Sequence, residues 1–395
     1  MLTLSKMAAS VKPSATLAAG AKAKQMKAEG IAVFDFSLGE PDFNTPEHIC
    51  QAAVEAMKNG QTHYTPAPGI PEVRKAVANF YKETYGYDVG FDQVIVSNGA
   101  KHSLHNAIAV LCGPGDEVII PTPYWVSYSA LVEMTGAKCV LVPTSADNQL
   151  KMKPEQLQSA ITPNSKLVML NSPSNPTGVV YTREELAALA EVVVQSKLGV
   201  ISDEIYEKLM YGDNKPTCFA TLHPELPERT ITISGVSKSY AMTGWRMGWS
   251  VGPANVIKAM SSVQSQQTGN PSSVTQHAVI AALTGDQQCV EDMRLKFAER
   301  RELVLSRLKD MGLPCPNPGG AFYAFFDVSK YFGKTFAGKQ VTDSMSFCQV
   351  VLESAHVNLV PGAAFGAEGF VRMSFATSAE QINGGLDRLN SFLNG

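Results

Sequence analysis

No stretch of this 395-residue chain approaches the roughly 20 consecutive apolar residues that a membrane-spanning helix needs. The N-terminal MLTLSKMAAS likewise lacks the apolar segment of a secretory signal. Long basic runs are missing too, and the formal net charge is -3. That removes the electrostatic attraction on which binding to nucleic acid or an anionic membrane depends, so the expected partners are small molecules or proteins. The seven cysteines (Cys50, Cys112, Cys139, Cys218, Cys289, Cys315, Cys348) are odd in number and scattered, with no CxxC pair and no His-rich metal spacing. They read as free thiols in a reducing compartment, with the cytoplasm as the default and no metal site. No GxGxxG follows the first expected strand, which argues against a nicotinamide-binding Rossmann enzyme. Internal repeats and low-complexity linkers are absent as well.

What is present is a composition of 45% hydrophobic and 17% charged residues, enough to bury a large core. At this length two domains are expected. Short β-rich runs occur at Val94–Ser97, Glu117–Ile120, Lys138–Val142, Lys166–Asn171, Gly199–Ser202, Thr230–Ser234 and Met247–Val251. Amphipathic stretches such as His102–Leu111, Trp125–Met134 and Arg183–Gln195 lie between them. This alternation predicts an α/β fold with a mostly parallel seven-stranded sheet covered by helices on both faces. Beyond Gly285 a charged helical pattern, Glu291–Met311, leads to the expected strands Gly320–Phe326 and Phe370–Phe375 of a smaller α+β domain. The expected division is residues 47–289 for the large domain and 290–395 for the small one, with residues 1–46 packing on the latter.

Ligands of open α/β sheets bind beyond the carboxyl ends of the strands, where loops and helix N-termini converge. Four loops meet that condition: Ser97–Lys101, Asn171–Gly178, Asp203–Tyr206 and Ser234–Lys238. Taken singly, their residues read plainly: Asp203 as a helix cap, Asn175 before proline as a turn former, Lys238 as a solvated charge. Together they carry a pattern. Gly235-Val-Ser-Lys238 runs on through Tyr240 and Thr243 to Arg246 and Gly248, and is joined by Asp203-x-x-Tyr206 and Asn175-Pro-Thr-Gly178. Leu38-Gly39-Glu-Pro-Asp42, Tyr64, Pro123-Tyr-Trp125 and Arg372 extend the pattern over the chain. In this it resembles the class I aminotransferases of pyridoxal 5′-phosphate (PLP) fold type I, and within them the bacterial aspartate and prephenate aminotransferase subgroup.

The resemblance implies that Lys238 holds the PLP aldehyde as a Schiff base, which requires a neutral amine, and that the same amine later carries protons. Asp203 would keep the pyridine nitrogen protonated so that the ring can act as an electron sink. Tyr206 and Asn175 would donate to the phenolic oxygen. The phosphate would lie against the backbone N–H groups of Gly99 and Ala100 at a helix N-terminus, with Ser237 and Arg246. Tyr64 would reach the phosphate of a second subunit, making the active unit a homodimer with shared sites. Gly235 stands where many relatives have serine, so one phosphate contact is missing or replaced. Trp125 would stack on the ring. Arg372 would grip the α-carboxylate in a two-point contact, with a backbone N–H from Gly39.

For the side chain, the resemblance implies a lysine in the Gly99-Ala-Lys101 loop together with Ser or Thr near the N-terminus, and Lys101, Ser14 and Thr16 occupy the matching positions. A cation there selects an acidic side chain, so aspartate and glutamate with their 2-oxo acids are the expected substrates. Prephenate or arogenate, and a broader tyrosine or kynurenine specificity, are the alternatives. A PLP-dependent carbon–sulfur lyase would keep Lys238, Asp203 and Arg372 but eliminate a leaving group.

Overall fold

The computed structural model describes residues 2–11, 13 and 15–394. Its centre is a seven-stranded sheet, whose strands are numbered β1 to β7 in chain order. They are β1 (Val94–Ser97), β2 (Glu117–Thr122), β3 (Lys138–Pro143), β4 (Ser165–Asn171), β5 (Gly199–Asp203), β6 (Thr230–Gly235) and β7 (Gly248–Val251). Their order across the sheet is β1-β7-β6-β5-β4-β2-β3, and β7 alone runs antiparallel to its neighbours. Each of the seven expected runs forms a strand, Val94–Ser97 with the expected ends and the others with an end shifted by one or two residues. The inner strands are buried on both faces, which is why β6 reads TITISG with every residue buried instead of alternating.

Helices fill both faces. Ile108, Ile120, Met169, Ile201 and Ile231 pack on one side with Leu131 and Met260. On the other, Val168, Leu170 and Val200 meet Leu189 and Val193 of the helix Arg183–Ser196. That helix starts where it does because the Thr182 hydroxyl accepts from the Glu185 N–H while the Glu185 carboxylate accepts from the Thr182 N–H, a closed capping box.

The C-terminal part joins the long helix Gln288–Asp310 to a three-stranded antiparallel sheet of Val360–Pro361, Phe370–Ser374 and Tyr323–Asp327. Residues Phe34–Asp35 pair with Val357–Asn358, and Phe36 joins the core of Phe297, Phe322 and Phe326. The strand expected from Gly320 begins only at Tyr323. Gly320 instead donates to the Gly178 carbonyl, and a Cβ on it would come within 2.5 Å of Pro173, so this corner packs on the Asn171–Gly178 loop. Among the described residues no helix is long and apolar enough to cross a membrane.

Candidate active site

The four strand-end loops meet, with segments Ser37–Gly39 and Arg372, around a cavity of about 660 Å³. Asp203 ends β5 and is 3% exposed. Its Oδ2 accepts a hydrogen bond from the Tyr128 hydroxyl at 2.6 Å and its Oδ1 one from the Ile205 N–H at 3.2 Å. Loss of hydration pushes this carboxyl up to about 6, against the opposing pull of these two donors and of Lys238. It therefore remains largely ionised at neutral pH.

Lys238 lies on a single helical turn, Val236–Ser239, directly after β6, and its Nζ donates to the Gly39 carbonyl at 2.6 Å. Its pKa falls to about 8, chiefly through lost hydration. Glu40 and Asp203 oppose the fall, while the positive charges of Arg246 and Arg372 add to it. The turn can sit this close to β7 because Gly235 pairs with Gly248: a Cβ on Gly235 would lie 2.8 Å from the Gly248 Cα. The missing serine at 235 is therefore a steric consequence, and the contact it would offer has no room.

Gly99 and Arg246 both adopt positive φ, 86° and 55°, and a Cβ on Gly99 would lie 2.5 Å from an Arg246 Nη. The guanidinium is thus laid over the start of the helix Ala100–Leu111, a concave cationic cradle that a larger residue at 99 would fill. The Gly99 N–H is already bonded to the Ser97 carbonyl at 2.7 Å, because the tight turn into the helix closes on itself, which leaves the Ala100 end of the helix to face an anion. Ser237 lines the same cavity.

Arg372 is 2% exposed, with Nη1 donating to the Asn175 Oδ1 at 2.9 Å and Nη2 to the Ser37 carbonyl at 2.8 Å. Its Nε has no partner among the described residues. Gly39 presents its carbonyl to Lys238. Tyr206 bonds through its hydroxyl to that of Tyr323 at 2.9 Å. Trp125 lines the cavity, and the Lys101 Nζ sits 4.9 Å from its ring centroid. Burial and the charge of Arg246 lower the Lys101 pKa. Tyr64 stands apart, 97% exposed and away from this cavity. Ser14 lies outside the described residues, as does the side chain of Thr16.

Two site residues escape the sequence reading. Tyr128 follows Trp125 by three residues, a helical spacing that could have marked it as a neighbour of the cavity. Tyr323 stands inside the apolar run Ala321–Phe326 and carries no local signal.

An amine held partly neutral, a buried carboxylate, an arginine-covered helix start, and phenol and amide donors form the set that a phosphorylated pyridine aldehyde requires. The fold and this cavity define a PLP-dependent enzyme of fold type I. The chain belongs to the aminotransferase class I and II family, whose model matches residues 31–389. It is 46% identical to the aspartate aminotransferase of Geobacillus stearothermophilus, over 99% of both chains. To the aspartate/prephenate aminotransferase of Cereibacter sphaeroides it is 44% identical over the whole of both. Among solved structures, the aspartate aminotransferase of Rhizobium meliloti superposes with a TM-score of 0.96 at 42% identity, covering 99% of each chain. That of Thermus thermophilus with maleate gives 0.94 at 40% identity, over 99% of this chain and all of the other.

Proposed function

We propose that the enzyme transfers the amino group of L-aspartate to 2-oxoglutarate, forming oxaloacetate and L-glutamate. The observation that carries this reading is the pairing of Lys238, its pKa drawn down to about 8, with the buried Arg372 across one cavity. Bound PLP supplies an aldehyde carbon that exchanges amines and a ring that accepts the electrons of the substrate's α-carbon–hydrogen bond. Lys238 Nζ, once neutral and free, takes up the α-proton. Asp203, oriented by Tyr128, holds a proton at the pyridine nitrogen, and Tyr206 and Asn175 donate to the phenolic oxygen. Arg246, Ser237 and Ala100 bind the phosphate. Arg372 fixes the α-carboxylate and so orients the bond to be broken, while Trp125 covers the ring.

Lys101 is the cation that would meet a distal carboxylate at the cavity edge. Replacing it by alanine is expected to lower kcat/KM for aspartate by roughly 30-fold or more, the worth of a charge-assisted contact, and to leave alanine turnover within about threefold. Equal losses for both donors would remove Lys101 from this role. The direct test of the reaction is purified holoenzyme with 2-oxoglutarate against aspartate, tyrosine, alanine, kynurenine and arogenate. Absence of oxaloacetate from aspartate would sink the assignment. Prephenate, a second dicarboxylic acceptor, is a further reading favoured by the 44% identity to a relative named for both substrates.

The same proposal makes the active unit a homodimer, supported by Tyr64, an aromatic side chain left 97% exposed in the single chain. A fully active monomer by light scattering would remove Tyr64 from the site. Residues 290–395 with 1–46 form the domain that carries Arg372 and Gly39 and closes on substrate. The enzyme works in the cytoplasm, a placement supported by seven cysteines without a disulfide.

A further inference from the structure

Tyr323 opens the strand Tyr323–Asp327 of the C-terminal sheet and is wholly buried in the protein, yet its side chain borders the reaction cavity. Three groups touch it. Its hydroxyl lies 2.9 Å from that of Tyr206, with the two rings edge to face. The Arg372 guanidinium carbon sits 4.6 Å from its ring centroid. Gly39 passes over its hydroxyl so closely that a Cβ there would lie 3.2 Å away, and the carbonyl of that same Gly39 accepts from Lys238. One phenol therefore stands between the tyrosine assigned to the cofactor, the arginine assigned to the carboxylate, and the segment that holds the lysine.

Each hydroxyl in the Tyr206–Tyr323 pair has a single proton to give. If Tyr206 donates outward into the cavity, the contact between them survives only when Tyr323 donates to Tyr206. Burial raises both phenols above the ordinary range. The Arg372 guanidinium is packed on the ring of Tyr323 and holds that phenol down against burial, which favours Tyr323 as the donor of the pair. A hydroxyl that accepts a hydrogen bond becomes a stronger donor itself, because chained hydrogen bonds polarise one another.

We propose that Tyr323 is a positioning residue that strengthens the hydrogen bond Tyr206 donates to the cofactor's phenolic oxygen, and that it does so from a ring packed on the carboxylate-binding Arg372. The inference rests on the reading of Tyr206 as that donor. A strong donor draws charge from the phenolic oxygen, which then holds the neighbouring proton on the lysine-bound nitrogen less tightly. Weakening the donor lets that proton stay to higher pH.

The test is the visible absorbance of the holoenzyme followed across pH, a titration of the cofactor in place that needs no turnover. Tyr323→Phe keeps the ring on Arg372 and removes only the hydroxyl. Its colour change is expected to move to higher pH by roughly half a unit, the equivalent of one modest hydrogen bond. Tyr206→Phe is expected to move it further. The double variant should titrate as Tyr206→Phe alone, since Tyr323 acts through Tyr206. A Tyr323→Phe midpoint equal to that of the parent, or shifts that add in the double variant, overturns the inference while Tyr206 keeps its role. A Tyr206→Phe midpoint equal to that of the parent overturns both.

Discussion

Lys238→Ala is expected to lower kcat by on the order of 10⁴-fold or more and to abolish the covalent attachment of cofactor that borohydride reduction traps in the parent protein. The fold should persist, because the substitution removes an amine whose burial is unfavourable for its charged form and leaves Val236 and the Gly235–Gly248 contact untouched. Circular dichroism and thermal melting check that half of the expectation. The amine is suited to capture an aldehyde because only its neutral form attacks. With a pKa of about 8, roughly one molecule in ten is neutral at pH 7. An ordinary lysine near 10.4 would present about 250-fold less. The rate at which cofactor-free protein takes up PLP should therefore climb with pH up to about 8 and then level off, as long as Lys238 limits the step. Borohydride-trapped cofactor on Lys238→Ala, or uptake still rising tenfold per pH unit at pH 9, contradicts this assignment.

Arg372→Lys ranks next in expected effect. The guanidinium offers two parallel N–H groups to a carboxylate, and it is already placed by Asn175 and the Ser37 carbonyl. An ammonium keeps the charge but loses the planar two-point fit. The expected result is a loss of roughly 10²- to 10³-fold in kcat/KM, in line with truncating a buried, hydrogen-bonded charge contact. The factor should be the same for aspartate and alanine, since both carry the α-carboxylate. That common loss separates Arg372 from Lys101, whose replacement should discriminate between the two donors. A loss confined to dicarboxylic substrates would assign Arg372 to the distal carboxylate instead.

The sheet was legible along the chain because its inner strands are covered on both faces. The run LVML before Asn171 has no polar residue to alternate with, TITIS before Gly235 is rich in β-branched residues, and turn residues bound both. Strand and helix ends were less legible. The helix expected from His102 starts at Ala100, and the strand expected from Gly320 starts at Tyr323. The first start is set by Gly99, whose positive φ turns the chain into the helix, and the second by the packing of Gly320 on the Asn171–Gly178 loop. Lys238, Asp203, Tyr206 and Asn175 were visible in their loops because each ends or follows a strand, and Arg372 because its motif matches a family.

The sequence by itself determined the family, the α/β sheet and the loops that carry the chemistry, since these depend on local hydrophobic runs, turn residues and short motifs. Only the tertiary structure decided that Tyr128 supports Asp203 and that Tyr323 meets both Tyr206 and Arg372. It also decided that Gly235 leaves no room for a side chain. Those outcomes depend on which atoms arrive within a few ångströms from separate elements, 75 residues apart for Tyr128 and Asp203 and 117 for Tyr206 and Tyr323, and on the hydration lost when they do, quantities that no local pattern encodes.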